Sequence, residues 1–148
     1  MRLTRYTDYA LRILTYLALK PPGELATIKE IADRYGISTN HLMKIVHHLG
    51  QSGYIETVRG RGGGIALALA PDAIRLGDVV RLCEDDMRLV ECFDAANNNC
   101  PISAMCVLPG ILDEALGAFL GVLDRHTLED LVAPSRALNA VLRPEAAG

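Results

Sequence analysis

The sequence predicts a mainly α-helical chain with one small β-hairpin, built as a winged helix-turn-helix followed by a long apolar helix. Three observations carry this. Two short amphipathic stretches, 27–36 and 38–50, are joined by a tight glycine-containing turn, the helix-turn-helix pattern. Two strand candidates then flank the glycine-rich run RGRGGG. Finally, apolar residues recur at helical spacing from Leu108 to about Leu123.

In order, residues 4–20 read as a helix, with Tyr6, Ala10, Ile13, Leu14 and Leu17 on one face and KPPG as its stop. Thr27 and Glu30 form a capping box for the next helix, which shows Ile28, Ile31 and Ala32 inward and stops at Gly36. Ser38 is placed to cap the following helix, whose Leu42, Ile45, Val46 and Leu49 share a face. The strands are YIETV at 54–58 and IALAL at 65–69. A short helix follows from Leu76 to Glu84, and 85–106 is irregular and polar.

In the long helix, Leu108, Ile111, Leu112, Ala115, Leu116, Phe119, Leu120 and Leu123 cover more than one stripe. Such a helix needs cover on two sides, one from its own chain and one most economically from a symmetry mate, so it reads as a dimerisation helix. Gly117 and Gly121 each cost about 1 kcal/mol against alanine, which makes sense where two backbones approach. A last short helix is expected at 127–131. The expected units are a winged helix-turn-helix domain at 1–75, a connection and ligand loop at 76–106, the dimerisation and C-terminal helices at 107–133, and a disordered tail at 134–148.

The 148 residues carry a net charge of −3, which argues against binding nucleic acid through bulk charge. The distribution is uneven: residues 1–61 hold nine Lys/Arg against five Asp/Glu, and 62–148 hold six against thirteen. The first half suits a polyanion and the second avoids one. No run of 18 apolar residues lacks a charge, and the N-terminus has no cleavage site for a signal peptide, so a cytoplasmic protein with no membrane partner is expected. No catalytic motif is present, so no enzyme is expected.

On the second helix of the pair, Ser38, Thr39, Asn40, His41, Lys44 and His47 lie off the apolar face. Asn can bond an adenine edge, Lys supplies charge, and the hydroxyls can meet phosphate. In the wing, Arg59 and Arg61 stand beside Gly62 and Gly63, where backbone or arginine can approach a phosphate or the minor groove. This ordered set predicts binding to double-stranded DNA. His47 and His48 point about 100° apart on a helix and make a poor metal pair.

Cys92, Cys100 and Cys106 are spaced C-x7-C-x5-C. Thiolates suit zinc, copper(I) and iron–sulfur clusters. Structural zinc prefers closer pairs, so these gaps favour a loop around a larger object such as an iron–sulfur cluster, with zinc left open. Cys83, among Val79, Val80 and Leu82, reads as a buried structural thiol.

MRLTRYTDYALRILTYLAL, the helix-turn-helix, GRGGGIALA and the three-cysteine loop together resemble the bacterial winged-helix iron–sulfur transcriptional regulators, from Met1 to about Val132. The resemblance implies a homodimer on a pseudo-palindromic operator, with a cluster held by Cys92, Cys100 and Cys106. One branch of that family uses a histidine three residues after the last cysteine, where this chain has Pro109. The nitric-oxide-sensing branch with a 4Fe–4S cluster uses an aspartate of the first helix, donated by the other subunit, which matches Asp8. The implied function is a dimeric repressor whose cluster, 4Fe–4S in preference to 2Fe–2S, is nitrosylated by nitric oxide and so releases DNA. The seven-residue first gap is longer than the family's usual one. Asp8 lies opposite the apolar face of its helix and is equally placed for a surface pair with Arg12. The alternatives are a sensor of iron or cluster supply, a zinc- or thiol-based redox sensor on DNA, and an electron-transfer protein.

Overall fold

Thr4 starts the first helix: its Oγ1 accepts from the Thr7 backbone N–H at 3.3 Å. The computed structural model describes residues 2–133 and 136–142. Among them, α1 (Arg5–Ala18), α2 (Ile28–Tyr35) and α3 (Thr39–Gln51) precede β1 (Ile55–Val58) and β2 (Gly64–Leu67). Then come α4 (Leu76–Cys83), α5 (Leu108–Asp124), α6 (Leu128–Val132) and α7 (Arg136–Leu142), with 3-10 turns at Pro71–Ala73 and Glu91–Phe93. This is the mainly α fold with one hairpin that the sequence predicts.

The 3.6-residue period of α1 buries Ala10, Ile13, Leu14 and Leu17 at its centre, packed against α3, α4, α6 and β2. The expected capping box of α2 is present: Thr27 Oγ1 accepts from the Glu30 N–H at 3.1 Å, and Glu30 Oε2 accepts from the Thr27 N–H at 3.4 Å. The other Glu30 oxygen accepts from Tyr16 Oη and Lys20 Nζ, each at 2.6 Å, which ties the end of α1 to the start of α2. Gly36, at φ +64°, ends α2 in the left-handed conformation. Ser38 holds the N-cap position of α3, but contrary to expectation its side chain makes no capping bond.

The hairpin pairs Ile55 with Leu67 and Val58 with Gly64, so β1 starts one residue inside its expected range, and β2 starts at Gly64, before its expected range, and ends at Leu67, short of it. The Ala26 segment adds an edge to it: Ala26 N–H donates to Ile65 O at 3.0 Å, and Ala26 O accepts from the Ile65 N–H at 2.8 Å. Buried Ile55 and Ile65 press this wing onto the helical core.

After α4 the chain makes an irregular excursion and returns along α5. Arg81 grips Asp124 through two bonds of 2.6 Å, locking the end of α5 to α4. Leu76 N–H donates to His126 O at 3.0 Å and Leu128 N–H to Ile74 O at 2.8 Å. These bonds deliver α6 onto α1, where Leu128 and Val132 join the same core as α1–α3. Within the expected tail at 134–148, Arg136–Leu142 form α7. Leu138 and Leu142, one turn apart, put α7 against that core, with Leu142 buried. Residues 134–135 and 143–148 lie outside the described residues.

α5 differs from the rest. It packs on α4, yet none of its residues is buried, and Leu108, Ile111 and Val122 are 48%, 58% and 46% exposed. The described residues cover one side of the helix only. Among the described residues no helix is long and apolar enough to cross a membrane.

The Thr27–Glu30 junction gives a stability prediction. Burial raises the Glu30 carboxyl's pKa, but hydrogen bonds from Lys20, Tyr16 and Thr27 outweigh it and hold the group below its ordinary range. Its stabilisation is therefore present above the unfolded-state pKa and lost as pH falls through the lowered value. Thr27→Ala is expected to cost about 1 kcal/mol at neutral pH. Glu30→Gln is expected to destabilise at pH 7 and much less at pH 3. Urea unfolding at the two pH values checks both.

Candidate functional site

The candidate sites are the solvent face of α3 with the wing, and the cysteine loop before α5 together with Asp8 of α1. On α3, burial of Leu42, Ile45, Val46 and Leu49 turns the opposite face to solvent. Ser38, Thr39, Asn40, His41, Lys44 and His47 are all exposed there. With no capping duty, the Ser38 hydroxyl stays available at the helix start. Met43, 53% exposed between Asn40 and His47, belongs to this face as well. Its apolar type hid it from a search for polar readers, although such a side chain suits a thymine methyl.

His48 is half-buried: its Nδ1 lies 2.9 Å from Tyr6 Oη and its ring 5.9 Å from the Tyr6 ring. His41 stands against Tyr9, with centroids 6.5 Å apart. Both histidines are thus tied to α1, a relation between residues about 30 to 40 positions apart that no local pattern shows.

In the wing, Arg59, Arg61 and Gly62 are exposed and Gly63 is half-buried. A Cβ on Gly63 would come 2.2 Å from Val58 O, so this turn accepts no side chain there. The tight turn holds the two arginines at the tip of the hairpin.

Asp8 pairs with Arg12 of its own helix, Nε to Oδ1 at 3.1 Å and Nη2 to Oδ2 at 2.8 Å. Both side chains are nearly half exposed. The hydrogen bond to Asp8 raises the Arg12 pKa further, against the effect of burial. The guanidinium also lies over the Tyr9 and Tyr35 rings, 5.7 and 5.8 Å from their centroids. In the single chain Asp8 therefore forms the surface pair named above, and its carboxylate faces away from the core.

Cys92, Cys100 and Cys106 are free and half-buried on the loop between α4 and α5. The extra residues of the first gap are folded by their own polar groups. Asp94 pairs with Arg88 at 2.5 Å and accepts from Asn97 Nδ2 at 2.7 Å. The hydrogen bond from Asn97, helped by Arg88's charge, holds its carboxyl below the ordinary range despite partial burial. Glu91 accepts from the Asn99 N–H at 2.6 Å, and Asn98 Oδ1 from the Cys100 N–H at 3.0 Å. Among the described residues no three His, Cys, Asp or Glu side chains are grouped closely enough to hold a metal ion. The cysteines share the loop without converging. As donors they fit a soft metal group: three free thiols, partly accessible, with Cys92 in the 3-10 turn and Cys100 and Cys106 outside any helix or strand. Cys83 does not join them. It is buried, and burial together with the Glu84 charge pushes its thiol up to about 11.

The sequence profile of a family described as Rrf2, iron-dependent transcriptional regulator, matches residues 3–134. Two HTH-type transcriptional regulators named NsrR, from Bacillus subtilis (strain 168) and Shouchella clausii (strain KSM-K16), are 55% and 50% identical over 143 residues. Each match covers 97% of this chain, and 98% and 96% of those proteins. Among solved structures, CymR (YrzC), the global cysteine regulator of B. subtilis, aligns with a TM-score of 0.71 at 29% identity, covering 91% of this chain and 98% of that one. T. potens IscR shares the fold, with a TM-score of 0.75 at 23% identity over 100% of this chain and 94% of that one.

The α3 and wing geometry separates two kinds of contact. Arg59→Ala and Arg61→Ala are each expected to weaken binding to every duplex and to reduce the salt slope by about one. Asn40→Ala is expected to cost about 1–3 kcal/mol on the specific site and to leave non-specific binding nearly unchanged. Titrations of specific and scrambled duplexes at several salt concentrations distinguish the two.

Proposed function

The chain belongs to the Rrf2 family of transcriptional regulators, and on that premise we propose that it is a homodimeric repressor that senses nitric oxide through an iron–sulfur cluster. The family membership makes it a DNA-binding regulator with a non-enzymatic role. The observation that best supports the finer reading is the cysteine loop: three free, half-buried thiols directly before an apolar helix that its own chain leaves exposed.

Cys92, Cys100 and Cys106 would hold the cluster, with Asp8 of the other subunit as the fourth ligand. When bound, the cluster supplies iron open to nitric oxide, most of all at the atom held by a carboxylate, a harder and weaker ligand than thiolate. Asp8 has two possible partners, the cluster and the nearby Arg12. The Arg12 fork would hold the carboxylate of any Asp8 that is not serving as a ligand. Asp8 sits between Tyr6 and Tyr9, the residues that touch His48 and His41 of α3. A change of partner at Asp8 therefore reaches the DNA-reading helix through adjacent residues of one rigid element.

A dimer is favoured by the apolar surface of α5 and of the loop before it, where Ile102, Met105 and Val107 are 57%, 85% and 76% exposed. A Cβ at Gly117 or Gly121 would meet nothing within 4 Å, so the space over these glycines is open to a second backbone. Dimerisation sets two α3 helices on half-sites about 34–36 Å apart, as a pseudo-palindromic operator requires.

Anaerobic purification with a visible spectrum and with iron and sulfide counts tests this reading and separates 4Fe–4S from 2Fe–2S. Asp8→Ala is expected to change the spectrum, shorten cluster lifetime and alter the nitric oxide titration. If all three match wild type, Asp8 is not a ligand. A colourless protein that contains zinc supports the zinc alternative instead.

A further inference from the structure

We propose that Glu84 is a positioning residue: it fastens the start of the cysteine loop to the first turn of α1 and so sets Asp8 and the recognition helix. The proposal rests on the reading above and names the contact through which the loop acts on α1. Glu84 follows α4 directly and is the first residue of the irregular segment that carries the cysteines. Its Oε1 accepts three hydrogen bonds from the start of α1: from the Thr4 N–H at 2.8 Å, Thr4 Oγ1 at 3.0 Å and Thr7 Oγ1 at 2.5 Å.

The site is built for a carboxylate. An anion at a helix N-terminus meets the unpaired N–H groups and the positive end of the helix dipole. Thr7 is wholly buried and its one hydroxyl proton goes to Glu84, as does that of Thr4, whose Oγ1 lies 3.1 Å away. Loss of the carboxylate would leave a buried hydroxyl with a single partner, itself a cap already engaged with the Thr7 N–H. Four consecutive residues of α1 then serve four contacts: Tyr6 with His48, Thr7 with Glu84, Asp8 with Arg12, and Tyr9 with His41. Any shift of Glu84 turns the segment that holds the other three.

Glu84 also lines an open cavity of about 690 Å³, together with Leu3, Met87, Leu116 and Phe119. The loop thus has space beside it, and the three bonds to α1 hold its start in place where packing does not.

Amide hydrogen exchange on the cluster-free protein tests the proposal without any metal. Glu84→Ala is expected to speed exchange in the first turn of α1 and around His48 by about 10-fold, with α2 unchanged. Glu84→Gln keeps the acceptor oxygen and is expected to stay close to wild type. If Glu84→Ala leaves α1 and α3 unchanged, the proposal is overturned. Should Glu84→Ala fail to fold, Thr7→Val removes one of the three donors at nearly constant shape. It is then expected to loosen the same two regions, and unchanged exchange there overturns the proposal equally.

In cluster-loaded protein, Glu84→Ala is expected to keep wild-type iron and sulfide while its loaded-to-empty ratio of operator affinities falls to within about twofold of one. Glu84→Gln is expected to restore most of that ratio. A Glu84→Ala ratio equal to wild type overturns the proposal. A wild-type ratio of one would sink the cluster-sensing reading instead, and the exchange result would then decide the role of Glu84 alone.

Discussion

The packing of α1 is the constraint on which the rest of the structure depends. One fourteen-residue helix fills the centre of the core, touching α3, α4, α6 and β2. Its buried stripe is fully apolar except for Thr7. Interiors packed this densely do not deform gradually, so a displacement of α1 moves the elements that interlock with it. The position of α1 therefore fixes the attitude of α3, and whatever grips the ends of α1 has leverage over the exposed face of α3.

Three kinds of contact grip it. Glu30 gathers Tyr16 and Lys20 at the C-terminal end. Glu84 caps the N-terminal end from the cysteine loop. Between them, Arg12 holds Asp8 and is itself held between two tyrosine rings. Each grip has a carboxylate at its centre. The first joins α1 to the helix-turn-helix, the second joins it to the start of the cysteine loop, and the third lies within α1 itself. Meanwhile the described residues leave much of the apolar surface of α5 uncovered.

Much of this was legible because the signals are local. The Thr27 and Glu30 box, the i, i+3, i+4 stripes of α1 and α3, and the glycine run between two strand segments each fix structure within a few residues. The exposed readers on α3 follow from the same stripe by elimination. Other features depend on contacts distant in sequence. Nothing near Glu84 marks it as the partner of Thr4 and Thr7, about eighty residues earlier. The contact of His48 with Tyr6 is not legible in the sequence because Tyr6 comes from another helix. Ser38 resembled a cap, but its side chain makes no capping bond. The tail's α7 rests on Leu138 and Leu142, too few apolar positions to read as a helix without the core they meet. The three asparagines looked like plain loop, whereas Asn97, Asn98 and Asn99 fold the long gap between Cys92 and Cys100.

Coupling between loop and DNA through α1 is tested most directly in the unmodified protein. Fluorescence anisotropy of one operator duplex would be titrated anaerobically with cluster-loaded, cluster-free and nitric-oxide-treated samples. Coupling of ordinary size gives loaded protein an affinity about 5–150-fold above that of the other two. Equal affinity in all three states would contradict it.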